Sequence, residues 1–307
     1  MNPGFPRTGL AVTHPSHELR VFGWLELTRP RVYVFTDGSG RRREPRLRAS
    51  AALLEKVGAT TGPLFGPVTD LEVYAAVLRR DIAFFVQWAL ALAEDLARSR
   101  IESLAGDAAE GHNSAHDVWR GVVDAAVEIA AQRFGWPIQS YDFTLFGHPA
   151  ACPEALKATA IWVRLDDPGF ERKRSAVAGY SPKLAAEVDA LLGGALRRGT
   201  DRFVDPALAL AAASEAGIGL DDLVRFPELL EQIQRMVAGI ELDAFRVECL
   251  RPVTPFVGLG EVAGTPFYEA YGERLVQAGH YREVIRCREH VAPILDGLRQ
   301  WRDHAPA

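Results

Sequence analysis

Four of the chain's eight histidines fall in two short stretches: His14-Pro15-Ser16-His17-Glu18, and the segment from Asp107 to Asp117 that holds His112 and His116. Neutral imidazole suits zinc, and histidines three or four residues apart can face the same way. One HxxH loop is a weak signal, because capping histidines and histidines satisfied in a core share that spacing. Two histidine-rich stretches, each following an apolar run, strengthen the case for a metal-dependent site. Groups able to hold or move protons lie beside them: Glu18, Glu110 and Asp117.

Such residues need a scaffold that brings them together. Gly9 to Thr13 (GLAVT) is an apolar run stopping at His14-Pro15, as a buried strand ending in a loop would. Arg31 to Thr36 (RVYVFT) predicts a second strand, ended by the turn Asp37-Gly38-Ser39-Gly40. Ser16 to Thr28 reads as a helix broken by Pro30, and Leu47 to Val57 as a helix closed by Gly58. Asp70 to Arg98 is one long stretch of helical period, with Tyr74, Phe84, Phe85 and Trp88 forming a core stripe. Ile101 to Leu104 predicts a strand leading to Gly106-Asp107. Ser114 to Phe134 predicts an amphipathic helix with Ser114 as N-cap and Asp117 completing a capping box. This alternation implies an α/β fold, Rossmann-like, with a mostly parallel sheet and helices on both faces. Both histidine stretches then follow strands, where sites in such sheets collect.

The second half differs. Ala158 to Leu165 and Phe245 to Leu250 read as strands, and Pro182–Arg198, Leu220–Val237, Thr265–Ala278 and Arg282–Arg302 as helices. Composition changes after about Asp167. The expected organisation is an α/β core over residues 1–170 and a largely helical extension, 171–307, packed on it. There is no internal repeat.

Composition narrows the function classes. The 307 residues are 48% hydrophobic and 24% charged, with a net charge of −5 spread along the chain. No apolar run approaches a bilayer span, and the N-terminus lacks a signal-peptide pattern; the expectation is a cytoplasmic protein without membrane or nucleic-acid partners. Cys152, Cys249 and Cys287 form no CxxC pair, which argues against a disulfide framework and a cysteine-built zinc site. The run Arg41-Arg42-Arg43, followed by Arg46 and Arg48, is either a solvated loop or an anchor for an anionic substrate.

The order GLAVT, His14-Pro15-Ser16-His17-Glu18, RVYVF, Thr36-Asp37-Gly38, a helix to Gly58, and Gly66-Pro67-Val68-Thr69-Asp70 resembles the zinc de-N-acetylase superfamily of the PIG-L or LmbE type. That family includes the N-acetylglucosaminyl-phosphatidylinositol, mycothiol-precursor and bacillithiol-precursor deacetylases. The resemblance covers residues 9 to about 130 and rests on a His-Pro-Asp-Asp-Glu motif, a Thr-Asp-Gly strand end and a later Gly-His-Pro-Asp-His loop. It implies a zinc held by His14, by His17 in place of the motif's second aspartate, and by His116 from the later loop. It implies a substrate-pocket or ligand-orienting place for Ser16, Glu18, Asp37 and Asp70, and an oxyanion- or amine-directed role for His112. Asp37 also has a sufficient explanation as a turn residue, and Asp70 as a helix N-cap.

Two departures matter. The family's general base is Ser16 here, and an aspartate ligand has become His17, so the implied site has three histidines. Such a zinc can bring its water to a pKa of about 7, lessening the need for a base. A proton donor for the leaving amine is still required, and Glu110, Asp117 and His112 are the candidates. The expected function is zinc-dependent (or other divalent-metal) de-N-acetylation of an N-acyl amino sugar or related small metabolite. Two alternatives stay open: another metal-dependent hydrolysis on the same scaffold, and a non-catalytic relative that binds a sugar-like ligand or a partner.

Overall fold

In β1 (Thr8–Val12) and β2 (Arg31–Thr36), Leu10, Val12, Val32 and Val34 face one core while Ala11, Tyr33 and Phe35 face another. All seven are fully buried, as in a parallel sheet covered on both sides. The computed structural model describes residues 6–40, 45–146, 148–180, 242–257 and 264–304. The remaining described strands are β3 (Thr60–Val68), β4 (Ser103–Asp107), β5 (Gln139–Phe143), β6 (Ile161–Arg164) and β7 (Val247–Pro252). They form one seven-stranded sheet of order β3-β2-β1-β4-β5-β7-β6. The first five strands are mutually parallel, and β7 runs antiparallel to both β5 and β6.

The described α-helices are α1 (Phe22–Thr28), α2 (Leu47–Val57), α3 (Asp70–Arg79), α4 (Ile82–Arg98), α5 (Ser114–Phe134), α6 (Asp167–Tyr180), α7 (Phe267–Gln277) and α8 (Ala292–His304). Trp24, Leu54 and Phe170 bring α1, α2 and α6 onto one face. Val73, Phe85, Trp119 and Leu295 bring α3, α4, α5 and α8 onto the other. The expected Rossmann-like α/β architecture with further C-terminal helices is what the structure has. From β1 the chain moves outward to β2 and β3, then returns to β4 on the other side of β1. The crevice beyond the carboxyl ends of β1 and β4 is therefore a topological switch point, where such sheets bind ligands.

Several boundaries differ from the sequence reading for identifiable reasons. The stretch 70–98 is two helices, because Arg80 turns left-handed (φ 54°) and Asp81 caps a new helix by accepting from Phe84 N. Thr69, not Asp70, caps α3, through a capping box with Glu72. Asn113, not Ser114, caps α5, accepting from Ala115 N at 2.8 Å. That helix is no simple amphipathic one: every residue from Ser114 to Val127 is buried, because α4 and α8 cover its outer side. The stretch 16–28 opens as a 3-10 turn, His17–Val21, before α1. β3 was not legible as a strand. Its Gly62, Pro63, Gly66 and Pro67 are accommodated at the sheet edge, where ladder bonds are not needed on one side. The polar β5 (QSYDF) was missed as well. The helices expected at 182–198 and 220–237, and Arg41-Arg42-Arg43, lie outside the described residues.

β7 is locked onto the parallel core by a buried carboxylate. Glu248 accepts from Gly23 N and Trp24 N, both at 2.9 Å, and from Lys173 Nζ at 2.7 Å. Lys173 also donates to Arg20 O at 3.0 Å. Among the described residues, no helix is long and apolar enough to cross a membrane.

Candidate functional site

The carboxyl ends of β1, β2 and β4 are stitched together just before the chain turns into the first histidine loop. Thr36 N donates to Thr13 O at 2.9 Å, and Thr13 N donates to Asp107 Oδ2 at 2.7 Å. Beyond that point Ser16 adopts a left-handed backbone (φ 96°), an arrangement that typically costs about 1–3 kcal/mol in a non-glycine residue. The turn is held by Glu18, whose Oε2 accepts from Ser16 N at 2.8 Å. Gly38 lies flat against Pro15: its φ is +66°, and a Cβ there would sit 2.7 Å from Pro15 Cδ. The Thr-Asp-Gly turn thus packs directly on the His-Pro loop.

This framework gathers His14, His17 and His116, which are remote in sequence and all buried. Their ring centroids are 5.3 Å (His14–His17), 5.0 Å (His14–His116) and 4.8 Å (His17–His116) apart. Two of the rings have a carboxylate at Nδ1. His14 Nδ1 lies 2.7 Å from Thr36 Oγ1 and 3.0 Å from Asp70 Oδ1, and His17 Nδ1 lies 2.8 Å from Asp107 Oδ2. Such pairing fixes the Nδ1–H tautomer and leaves Nε2 with its lone pair. Nε2 of His14 and Nε2 of His116 are buried and have no hydrogen-bond partner among the described residues.

Burial favours the neutral imidazole at His14 and His116. Burial pulls His14 below its usual range; Asp70 partly offsets this, while His17 and Arg46 add to it. Burial, reinforced by His17, His14 and His112, takes His116 well below that range. Burial also pushes the Asp70 carboxyl upward, but His14, Thr36 and Gly40 N–H outweigh it and hold Asp70 well below the ordinary carboxylate range. Asp107 behaves alike: His17 and Thr13 outweigh the effect of burial and lower it.

The other sequence candidates sort into distinct places. Glu18 braces the turn: it accepts from Ser16 N and bonds Ser50 Oγ. Burial raises its carboxyl. Asp37 accepts from Ser39 N at 2.9 Å and shapes its own turn. Asp117 does not close a capping box. Its Oδ1 accepts from Glu110 N (3.1 Å) and Gly111 N (3.2 Å), tying the second loop to α5, and burial pushes it up to about 7. Glu110 Oε2 accepts from Leu145 N (2.8 Å) and Phe146 N (3.3 Å), and burial pushes its carboxyl up to about 8. His112 stacks on Phe146 with centroids 4.0 Å apart and lies outside the three-ring cluster; Phe146 is 6.4 Å from His116. Burial lowers the His112 ring.

Sequence reasoning gave no role to Thr36 or Asp107. Each is the last residue of a parallel strand, β2 and β4, beside the switch point, and that position was the available signal.

Could these residues hold a metal? Judged by donor atoms, no group of three or more His, Cys, Asp and Glu side chains among the described residues meets the demands of a metal site. The rings are nonetheless gathered at a telling distance. Three imidazoles bound tetrahedrally at about 2.0–2.1 Å would have centroids about 5 Å apart. The unpartnered buried nitrogens of His14 and His116, and the carboxylates behind His14 and His17, suit a divalent cation. A buried nitrogen without a hydrogen-bond partner carries a desolvation cost. The residue types are ones a divalent cation takes, but among the described residues their donor atoms do not form a coordination set. In comparisons with known proteins, no family model, no curated protein and no solved structure matches the chain.

Proposed function

We propose that the protein is a metal-dependent hydrolase that cleaves the acyl–nitrogen bond of a small polar substrate, an N-acyl amino sugar being the class suggested by the family resemblance. The observation that carries this reading is the convergence of His14, His17 and His116 at the switch point, two of them backed by buried carboxylates. The three imidazoles would hold zinc or a similar divalent ion. When bound, such an ion supplies Lewis acidity toward an acyl oxygen and acidifies water.

The chain's own residues supply the rest. Asp70 and Asp107 orient His14 and His17 and keep their Nδ1 protonated. Ser16 stands where the resemblance places a base and cannot accept a proton at neutral pH. Glu110, raised to about 8, holds a proton at neutral pH and is the group best suited to protonate a leaving amine. Asp117 positions the Glu110–Gly111 backbone. His112, stacked on Phe146, forms one wall beside His116.

The test is elemental analysis of wild type and His17→Ala after exposure to zinc and removal of excess metal. About one zinc per chain in wild type, lost in the variant, is expected. A wild type that retains no metal would overturn the reading.

A further inference from the structure

We propose that Tyr180, at the end of α6, is a positioning residue for the turn that carries His14 and His17, acting through Ser50 and Glu18. The inference rests on the metal-site reading above for its functional consequence, but the relay itself is a matter of contacts. Tyr180 OH lies 2.8 Å from Ser50 Oγ in α2. Ser50 Oγ in turn bonds Glu18 Oε1. The other oxygen of Glu18 accepts from Ser16 N at 2.8 Å. Ser50 and Glu18 are completely buried, so neither can replace a lost partner with bulk water.

What this chain holds is the one residue between His14 and His17 with an unfavourable backbone. Ser16 has φ 96°, and a strained conformation persists only where its surroundings over-determine it. Its amide is fixed by Glu18, Glu18 by Ser50, and Ser50 by Tyr180. Ser50 and Tyr180, on two other elements, thereby bear on the angle at which two of those rings meet. The relay also joins three elements from distant parts of the sequence: the 3-10 turn, α2 and α6. The ring of Tyr180 packs against the core formed by α1, α2 and α6, so removing only the hydroxyl leaves that packing in place.

The variant is therefore Tyr180→Phe, with Ser50→Ala as a second break in the same chain. Two readouts are needed. The first is cobalt(II) binding, by competition with a chromophoric chelator and by the visible ligand-field spectrum. Tyr180→Phe should bind about tenfold more weakly, as losses behind a metal site typically do, with altered band positions or intensities. The second is hydrogen exchange over residues 14–20 in metal-free protein, where both variants should exchange several-fold faster than wild type. If affinity, spectrum and exchange all match wild type and only melting temperature falls, Tyr180 is a structural tie and the proposal is overturned. If wild type itself takes up no cobalt, the metal reading fails, and exchange alone decides whether Tyr180 governs the turn; unchanged exchange would then overturn it.

Discussion

His17 Nδ1 lies 2.8 Å from Asp107 Oδ2, although ninety positions separate the two residues and both side chains are wholly buried. The same Asp107 oxygen accepts from Thr13 N. One carboxylate thus joins the end of β4 to the end of β1 and to the histidine loop that follows it.

Replacing Asp107 by asparagine keeps the size and removes the charge. The amide oxygen can still accept from Thr13 N and from His17 Nδ1–H, but without the charge it polarises the His17 ring less. Zinc affinity of Asp107→Asn, measured by chelator competition, should fall about 10- to 100-fold. Equal affinity in variant and wild type would mean that Asp107 only secures the strand ends.

The contrast between His17 and Asp107 also shows how far the sequence could be read. The two histidine-rich stretches were legible because they follow apolar runs, and the choice of His14, His17 and His116 within them came from the family resemblance. Asp107 was in view as the start of a loop, yet nothing local links it to His17; only the β1–β4 pairing does, and that pairing is non-local. The β-branched and aromatic run of β2 was plain, whereas β3 was hidden by its glycines and prolines and β5 by its polar residues. The long stretch 70–98 concealed its break because Arg80 carries no sequence mark of a left-handed residue. Burial of α5 on all sides depends on α8, more than 150 residues later, so no window on the helix itself could have shown it.

The attachment of β7 makes a second prediction, independent of any metal. Lys173 and Glu248 form a buried pair at 2.7 Å, with Glu248 also serving two backbone N–H groups of α1. Removing one partner of a buried pair leaves the other charge uncompensated, a loss of about 3–5 kcal/mol. Lys173→Met should lose that much in denaturant unfolding. A loss under about 1 kcal/mol would show that Glu248 is satisfied by the backbone alone.

Ser16 offers a gain-of-function experiment. Its left-handed backbone is one that aspartate tolerates better than most residues, so Ser16→Asp is compatible with the turn. If the site is a hydrolase lacking only its base, the zinc-loaded variant should release free amine from N-acetylglucosamine-type substrates faster than wild type. General-base contributions of about 10²–10⁴ set the scale. Amine release unchanged by the substitution, with metal still bound, would count against a lost base.

Glu110 predicts a pH dependence whose sign is fixed by its surroundings. It faces Arg20 from the 3-10 turn and Arg251 from β7, and accepts from Leu145 N and Phe146 N, yet burial outweighs these and raises its pKa from 4.5 to about 8. Between those two values the folded protein holds a proton that the unfolded chain has released, so the group's contribution to stability falls as pH rises from about 4.5 to about 8. Above about 8 the contribution stays at its lower level. Asp117, raised to about 7, acts in the same direction and remains in a Glu110 variant. Glu110→Gln, which keeps an acceptor for both amides, should therefore flatten the decline in melting temperature between pH 5 and pH 8 without abolishing it. Identical melting profiles for variant and wild type across that window would show that Glu110 is already ionised in the folded protein, and would remove it as the proton donor.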